Sequence, residues 1–284
     1  MTVGTGAEVG VRSEAAPERA LALRDAHVVV LGASSGIGRA CALRAAEEGA
    51  AVLGVHLDTA ARGDAVADLE RGLRARAADV RLVNANAAAE QTRRDVLQLL
   101  AAGAPARPRT VLLHSLAFGS LLPFVTPPGE EGDVLSPRQM TMTLEVMAHS
   151  LVWWVRDLLA ADLLAPGSHV VAMTSAGDAR VSPCYGAVSA AKSALLSHVR
   201  QLAVELAPYG VAVNALRAGV TRTPAFARIP GSDAIAEAAV ARNPHGRLTE
   251  PQDVADAFTG LVAAPTSWVT GNVLGVDGGE VLTG

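Results

Sequence analysis

The amino-acid sequence predicts an α/β fold, a single doubly wound domain in which helices cover both faces of one seven-stranded parallel sheet. Short runs rich in valine and leucine alternate with longer stretches rich in alanine and leucine, which is the pattern of repeated β-α units. The apolar runs are continuous, as expected for strands that are buried on both faces. With 284 residues, 50% of them hydrophobic, the chain can bury the core of one large domain.

Seven mainly apolar runs predict the strands, because each is short and is bounded by glycine or polar residues. The predicted strands are residues 27–31, 52–56, 80–84, 110–114, 169–173, 211–216 and 273–276. Most neighbouring runs are separated by a stretch long enough for a helix, and connections of that length join parallel strands.

Six longer stretches with apolar residues at helical spacing predict the helices. They are residues 37–48, 60–77, 91–101, 137–164, 185–207 and 252–263. Ser136 followed by Pro137 is typical of a helix start, with a capping hydroxyl before a proline in the first turn.

Two long segments and the beginning of the chain are predicted to lack regular structure. Prolines recur within residues 118–136 and within residues 221–247. Loops of this length in a compact domain are often lids or binding loops. Residues 1–24 are expected to form a flexible tail, so that the domain spans residues 25–284.

The composition argues against several classes of protein. A net charge of -4 and 3% aromatic residues provide no basic or aromatic pattern for binding nucleic acid. The first residues lack the apolar stretch of a signal peptide or membrane anchor, so we expect a cytoplasmic protein with no membrane partner. Cys41 and Cys184 provide no disulfide framework and are expected to be reduced thiols. We expect no metal site.

A glycine-rich segment follows the first predicted strand and opens the first predicted helix. It consists of Gly32, Ala33, Ser34, Ser35, Gly36, Ile37 and Gly38. Glycines let the backbone turn tightly and approach a pyrophosphate, and unpaired amides at the helix start attract its negative charge. The segment therefore predicts a dinucleotide-binding site.

Lys192 is the single lysine of the chain, and it follows Tyr185 by seven residues. Every other strongly basic side chain is an arginine. This indicates that position 192 needs a compact ammonium, which a forked guanidinium cannot replace. On one helix, seven positions amount to almost two turns, so both side chains would lie on the same stripe. We interpret Tyr185 and Lys192 as a catalytic pair.

Several parts of the sequence resemble the short-chain dehydrogenase/reductase superfamily, over about residues 27–279. They are the G-x-x-x-G-x-G spacing of the glycine segment, Asn86 after the third strand, Asn214, and the closing run 270–279. The resemblance implies a Rossmann-type domain that binds NADPH or NADH, with Asn86 at the position that contacts the adenine.

Within that superfamily, the Tyr-x6-Lys spacing resembles the enoyl-acyl carrier protein reductases. Most members carry Tyr-x-x-x-Lys, whereas Val188 occupies that tyrosine position here and Tyr185 lies one helical turn earlier, about 5 Å along the axis. The segments 114–119 and 218–223 resemble the corresponding enoyl reductase segments, and Met147 replaces the asparagine of ketoreductases.

This resemblance implies reduction of the 2,3-double bond of an enoyl thioester, carried on acyl carrier protein, in fatty-acid or polyketide biosynthesis. In that reaction hydride attacks the β-carbon while charge develops on the thioester oxygen, so the tyrosine must follow that oxygen. Tyr185 is then expected to donate a hydrogen bond to the developing enolate, and Lys192 to hold the nicotinamide ribose. A homodimer or homotetramer is implied as well.

Ser175 keeps an alternative open. Its spacing from Lys192 matches that of the catalytic serine of ketoreductases, so the first alternative is a short-chain carbonyl (3-ketoacyl) reductase. A serine at this place also resembles the enoyl reductase subtype that has an ordinary short-chain cofactor turn, and a strand-end serine can simply bond to backbone. The second alternative is a non-catalytic nucleotide-binding scaffold.

The resemblance assigns further residues to the two parts of the site. The cofactor-binding positions, besides Lys192, are Gly32, Ser34, Ser35, Gly36, Ile37, Gly38, His56, Asn86, Ser115, Leu116, Thr221 and Thr223. The substrate-pocket positions are Phe118, Gly119 and Phe226, in the two long loops. The choice between NADPH and NADH stays open, because His56 suits a phosphate whereas Asp58 would repel one.

Two further groups of residues point to contacts with other chains. Four arginines near the predicted opening could receive an acidic carrier protein: Arg222, Arg228, Arg242 and Arg247. Trp153 and Trp154 point about 100° apart on a helix, so they are expected to divide between a neighbouring subunit and the core, or both to pack in the core.

Overall fold

Seven parallel strands form one sheet in the computed structural model, which describes residues 22–77, 79–103, 108–128, 132–178 and 181–283. The strands are β1 (Ala26–Leu31), β2 (Ala51–His56), β3 (Val80–Asn84), β4 (Arg109–His114), β5 (His169–Ser175), β6 (Ala212–Ala218) and β7 (Val273–Val276). Their order across the sheet is β3-β2-β1-β4-β5-β6-β7, and every neighbouring pair is parallel. The predicted seven-stranded doubly wound fold is confirmed.

The α-helices of the described residues alternate with the strands along most of the chain. They are α1 (Gly36–Glu47), α2 (Gly63–Arg74), α3 (Glu90–Gly103), α4 (Pro137–Leu144), α5 (Ser150–Ala160), α6 (Gly186–Leu206), α7 (Ser232–Arg242) and α8 (Pro251–Ala263). None of them is both long and apolar enough to cross a bilayer.

Alternate residues of the central strands divide the core into two layers. Val28 and Val30 of β1 belong to the layer that contains Phe258 of α8, and Val29 and Leu31 belong to the layer that contains Trp154 of α5. The chain places β2 and β3 on one side of β1 and β4 to β7 on the other. The carboxyl ends of β1 and β4 therefore border a topological switch point, where doubly wound folds bind their ligands.

The helix predicted at residues 137–164 is correct at its start and wrong beyond that. Ser136 and Gln139 form a reciprocal capping box, as the Ser136-Pro137 pair favours. The chain then passes through a π-helical turn, Glu145–His149, before α5. α5 ends because Asp162 adopts the left-handed conformation, at φ +56°, so that the chain leaves the helix.

The segment predicted to be irregular at residues 221–247 contains α7. The prediction was wrong here because Pro230 and Pro244 flank the alanine-rich run Ser232–Arg242 and do not interrupt it. In the other segment, the described residues 118–128 and 132–136 are irregular, as predicted.

Most of the predicted flexible tail, residues 1–21, lies outside the described residues. In the last part of this segment, Ala22 is half-buried and Arg24 is exposed. Leu23 is fully buried, and its N–H donates to the Glu48 carbonyl at 2.9 Å. Both cysteines are free thiols, and burial raises the pKa of Cys41.

The two adjacent tryptophans have different surroundings, and their replacement should have different effects. Trp154 is fully buried and its indole N–H donates to the Ala87 carbonyl at 2.8 Å, whereas Trp153 is half-buried and donates to Glu145 at 3.1 Å. We expect Trp154→Phe to lower the free energy of unfolding by about 1–3 kcal/mol, because a buried carbonyl loses its donor.

Denaturant unfolding of the two single variants measures this difference. Trp153→Phe is the matched control and should cause a smaller loss, since its partner carboxylate can turn to water. An equal loss in both variants would show that the Trp154 hydrogen bond contributes nothing specific.

Candidate active site

The glycine segment folds back on itself at the carboxyl end of β1. Gly32 has φ +90°, and a Cβ there would lie 2.5 Å from the Ser115 carbonyl oxygen. A Cβ on Gly38 would lie 2.1 Å from the Gly32 carbonyl oxygen, so only glycine allows this packing. The N-cap of α1, Ser35, makes no side-chain capping bond, which leaves the first-turn amides available to an anion. The segment therefore fits the pyrophosphate of a dinucleotide.

Several of the other residues predicted to bind the cofactor lie in or beside the glycine segment. Leu116 and the Ser115 backbone lie beside Gly32, and the Ser115 N–H donates to the Leu31 carbonyl at 2.9 Å. Gly36 faces the methyl group of Thr223, with 3.0 Å to the position of its missing Cβ. Thr221 is buried and donates to the Gly219 carbonyl at 2.9 Å. Ser34 is also buried, and Ile37 packs partly against the core layer of α1.

The predicted adenine-end residues lie at the ends of β2 and β3. His56 is buried, and its Nδ1 lies 2.9 Å from Asp58 Oδ2. Arg62 Nε lies 3.0 Å from the other oxygen of the same carboxylate. Asn86 is exposed at the turn that leads into α3, where its side-chain oxygen accepts from the Ala88 N–H at 3.0 Å. This edge of the site is thus a charged cluster beside a polar turn.

The Tyr185 hydroxyl is hydrogen-bonded to the Ser175 hydroxyl. Ser175 is the last residue of β5, and Tyr185 is the N-cap of α6, so the predicted helix start at residue 185 is one residue early. A Cβ on Gly177 would lie 2.5 Å from Tyr185 Cε1, so this glycine leaves room for the ring. Burial raises the pKa of Tyr185, and the Ser175 bond opposes part of that shift. The phenol is therefore a neutral donor at physiological pH.

Lys192 is buried two helical turns further along α6. Its Nζ donates to the Met173 carbonyl at 2.7 Å, two residues before Ser175 on β5. Lys192 lies close enough to His114 of β4 for its positive charge to lower the pKa of that histidine. The two groups predicted as a catalytic pair are thus both held by the carboxyl end of β5.

His114 is a fully buried imidazole at the end of β4. Its Nε2 lies 2.8 Å from Ser150 Oγ, and the Ser150 hydroxyl donates to the Val146 carbonyl at 2.8 Å, inside the π-helical turn. The hydroxyl therefore accepts from an Nε2–H. Burial, and then the charge of Lys192, lower the pKa of His114 to about 3. The residue is neutral and ties the sheet to the turn that carries Met147.

An apolar floor lies beside Tyr185. Met147, Val188 and Ala191 form a buried cluster, and Leu121, Leu144 and Tyr185 pack against it. Gly119, a predicted pocket residue, lies against the Val188 and Met147 side chains. Its neighbour Ser120 is held to α4 by an N–H bond to Thr143 Oγ1 at 3.2 Å. Val188, at the ordinary tyrosine position, thus serves only as packing.

The other two predicted pocket residues are not brought into this floor. Phe118 is 44% exposed, and Phe226 lines a separate cavity of about 330 Å³ beside Arg222 and Asp233. Phe124, another loop residue, covers the start of α6, with its ring 2.4 Å from the position of a Cβ on Gly186. The apolar floor is therefore bordered by Phe124, whereas Phe226 lines the other cavity.

The predicted basic surface is largely paired. Arg222 lies 3.3 Å from Asp233, Arg242 lies 3.4 Å from Glu280 and Arg247 lies 2.6 Å from Asp253. These contacts compensate most of the positive charge that could attract an acidic carrier protein. Among the described residues, no group of three or more histidine, cysteine or acidic side chains is placed to hold a metal ion.

Two residues of the site were not found from the sequence. Ser150 binds His114, and its signal was a hydroxyl directly before the apolar run 151–155. Asn84 ends β3 and bonds to the backbone of Asp58, and its signal was a polar residue at a strand end. Their partners come from distant parts of the chain, so spacing alone could not identify them.

Comparison with known proteins places these features in a family. A sequence profile described as "Enoyl-(Acyl carrier protein) reductase" matches residues 32–280. The cis-4-hydroxycyclohexanecarboxylate dehydrogenase of Sinomonas cyclohexanicum is 34% identical, over 88% of this chain and 94% of that protein. The enoyl-acyl-carrier-protein reductase (NADH) of Aquifex aeolicus is 30% identical, over 61% of this chain and 63% of that protein.

Solved structures agree on the fold. The crystal structure of an enoyl-acyl-carrier-protein reductase (NADH) from Aquifex aeolicus superposes with a TM-score of 0.75. The match covers 93% of this chain and 99% of that one, at 24% sequence identity. At that identity the likeness establishes the shared architecture.

The neutral state of His114 predicts a dependence of stability on pH. In the unfolded chain a histidine has a pKa near 6.5, whereas in the folded chain the pKa of His114 is about 3. Between these values the unfolded chain binds a proton that the folded chain does not, so the free energy of unfolding falls as the pH decreases. His114→Gln should reduce this slope by up to about 1.4 kcal/mol per pH unit.

Denaturant unfolding at a series of pH values between 7 and 4 measures the slope. His245→Gln is the control, because His245 is exposed. Burial also lowers the pKa of His169 and His27, so part of the slope should remain in every variant. Identical slopes for the wild type and His114→Gln would contradict the assignment of a neutral, buried His114.

Proposed function

The chain belongs to the enoyl-(acyl carrier protein) reductase family of short-chain dehydrogenases/reductases, and from that premise we propose that it reduces the 2,3-double bond of an enoyl thioester. The observation that carries this proposal is the place of the phenol. Tyr185 stands at the start of α6 and bonds to Ser175, while Val188, one turn further along, is buried under Met147. A donor at this displaced position suits an oxygen that is remote from the carbon under attack.

The reaction adds a hydride to the β-carbon and a proton to the α-carbon. NADPH or NADH supplies the hydride when it is bound at the glycine segment. Negative charge then develops on the thioester oxygen, and the Tyr185 hydroxyl donates a hydrogen bond to it. The raised pKa of Tyr185 supports this role, because the phenol keeps its proton at neutral pH. Solvent provides the proton for the α-carbon.

Lys192 contributes a fixed positive charge beside this oxygen and the ribose. The side chain is 6% exposed and is anchored on the Met173 carbonyl, so its ammonium is held in a medium where charges interact strongly. The neutral state of His114 supports the same arrangement, since a second cation there would oppose Lys192. Ser175 positions the phenol.

The acyl chain is placed over the apolar floor of Met147, Val188 and Leu121. These side chains exclude water and offer no hydrogen bond, which suits a hydrocarbon better than a sugar or a steroid hydroxyl. We further propose acyl carrier protein as the carrier, in fatty-acid or polyketide biosynthesis, and a cytoplasmic homodimer or homotetramer. These points rest on the resemblance to the family.

Carbonyl reduction is the second candidate, and a specific observation favours it. The hydroxyls of Ser175 and Tyr185 are bonded to each other, and two adjacent hydroxyl donors can polarise a ketone oxygen. The Sinomonas relative is named as a dehydrogenase of a hydroxycyclohexanecarboxylate. Enoyl reduction is preferred because the phenol lies one turn from the place that ordinary short-chain reductases use.

A direct comparison of substrates tests the proposal. Crotonyl and acetoacetyl thioesters are mixed with the purified protein and NADPH or NADH, and the loss of absorbance at the reduced nicotinamide band is followed. We expect turnover of the crotonyl thioester to exceed that of the keto substrate. A preference for the acetoacetyl thioester would establish the carbonyl reductase and reject enoyl reduction.

The role of the phenol is tested with the two tyrosines of the chain. Tyr185→Phe should lower kcat with crotonyl thioester about 100- to 1,000-fold, because one oxyanion donor is lost. The affinity for cofactor, measured by fluorescence titration, should be nearly unchanged. Tyr209→Phe is the matched control, since Tyr209 is 48% exposed at the end of α6. Full activity of Tyr185→Phe would remove the phenol from the mechanism.

A further inference from the structure

We propose that this site selects NADPH over NADH, because Asp58 is withdrawn into an internal cluster and Arg62 is left to receive the 2′-phosphate. The inference rests on the proposed function only in that it assumes a nicotinamide dinucleotide. In doubly wound folds, an acidic residue about 20 positions past the glycine segment binds the ribose hydroxyls of NADH, whereas an arginine there accepts the extra phosphate of NADPH. Asp58 follows Gly38 at that interval, so its spacing makes this carboxylate the candidate partner of the ribose hydroxyls, while His56 kept the choice open in the sequence.

The carboxylate of Asp58 is engaged on both oxygens. Oδ2 lies 2.9 Å from His56 Nδ1, and Oδ1 lies 3.0 Å from Arg62 Nε. The Asp58 side chain is only 7% exposed. A carboxylate held in this way presents little negative charge to the solvent, because Arg62 compensates it at contact distance. Its power to repel a phosphate is therefore small.

The backbone holds Asp58 in this inward position. The Asp58 N–H donates to Asn84 Oδ1, and Asn84 Nδ2 donates to the Asp58 carbonyl, each at 3.0 Å. The carbonyl of His56 accepts from the Ala85 N–H at 2.8 Å. These three hydrogen bonds form a backbone clamp that holds the residue in place. Turning the carboxylate toward a ribose would break its contacts with His56 and Arg62, because the clamp prevents the backbone from following.

Arg62 is the outer member of the cluster. Its side chain is 39% exposed, and it contacts Asp58 through Nε. Within the described residues its two terminal guanidinium nitrogens donate no hydrogen bond, so they can donate side by side to phosphate oxygens.

A second arginine near the glycine segment differs from Arg62 in the nitrogen that it uses. Arg39 of α1 donates to Asp68 of α2 through a terminal guanidinium nitrogen at 2.6 Å, whereas Arg62 contacts Asp58 through Nε. The glycine segment itself offers the uncharged Ser34 and Ser35. Selection of the 2′-phosphate therefore depends on Arg62. His56 contributes only by contacting the Asp58 carboxylate.

Binding of nucleotides that lack the nicotinamide tests the proposal without any catalytic step. Adenosine 2′,5′-bisphosphate and adenosine 5′-monophosphate are titrated by calorimetry into the full chain, with no acyl substrate present. We expect the 2′-phosphorylated nucleotide to bind about 10- to 100-fold more tightly, as one charge-assisted contact contributes. Arg62→Gln should remove that difference and leave the affinity for the monophosphate within about twofold.

Two further variants complete the design. Arg74→Gln is the matched control, because Arg74 forms the same i,i+4 type of ion pair, with Glu70, in α2. It should leave both affinities unchanged. Asp58→Asn should leave the 2′-phosphate preference intact or increase it, since a negative charge is lost and the backbone clamp is retained.

Several results would overturn the proposal. Equal affinities for the two nucleotides would overturn it. It would also be overturned if the wild type bound the monophosphate more tightly and Asp58→Asn abolished that preference. The latter result would mean that Asp58 reaches the ribose. Selection of the 2′-phosphate in a protein that reduces no enoyl thioester would sustain this inference while rejecting the proposed function. Failure to bind either nucleotide would reject the cofactor site and this inference together.

Discussion

The carboxyl end of β5 is the support on which the active site depends. The Met173 carbonyl holds the Lys192 ammonium, and the Ser175 hydroxyl, two residues later, holds the Tyr185 phenol. Both partners belong to α6 or to its N-cap, so one strand fixes the distance between a charge and a hydrogen-bond donor. β5 is itself paired on both sides, with β4 and β6, and its residues are almost fully buried. A rigid strand is therefore the reference for both functional groups.

The second constraint is electrostatic, because Lys192 is a buried cation of the candidate site. Lys192 bonds to a neutral carbonyl, and the nearby His114 is kept neutral by burial and by Lys192 itself. His114 therefore acts through shape and hydrogen bonding: it binds Ser150, the first residue of α5, whose hydroxyl donates to Val146 in the preceding π-helical turn. That turn contains Met147, which is part of the apolar floor beside Tyr185. The neutral histidine thus couples the sheet to the apolar wall of the pocket.

At the opposite end of the site, a buried carboxylate is paired. The two oxygens of Asp58 contact His56 and Arg62 in place of solvent. The cluster lies at the end of β2 and is clamped to the end of β3 by Asn84. The two ends of the site thereby differ in polarity. A buried ammonium, that of Lys192, lies at one end, and the partly exposed guanidinium of Arg62 lies at the other.

The sequence by itself determined the sheet and the glycine segment, and it singled out Tyr185 and Lys192 as a candidate pair, because each of these depends on local spacing. Seven apolar runs specify strands buried on both faces, and Lys192 stands out because it is the single lysine. Only the tertiary structure decided the rest. Proline positions did not reveal that residues 232–242 form a helix, and helical periodicity did not reveal the π-helical turn or the left-handed end at Asp162. The inward turn of Asp58 was equally hidden, because burial and pairing depend on β3 and on residues that spacing alone cannot bring together.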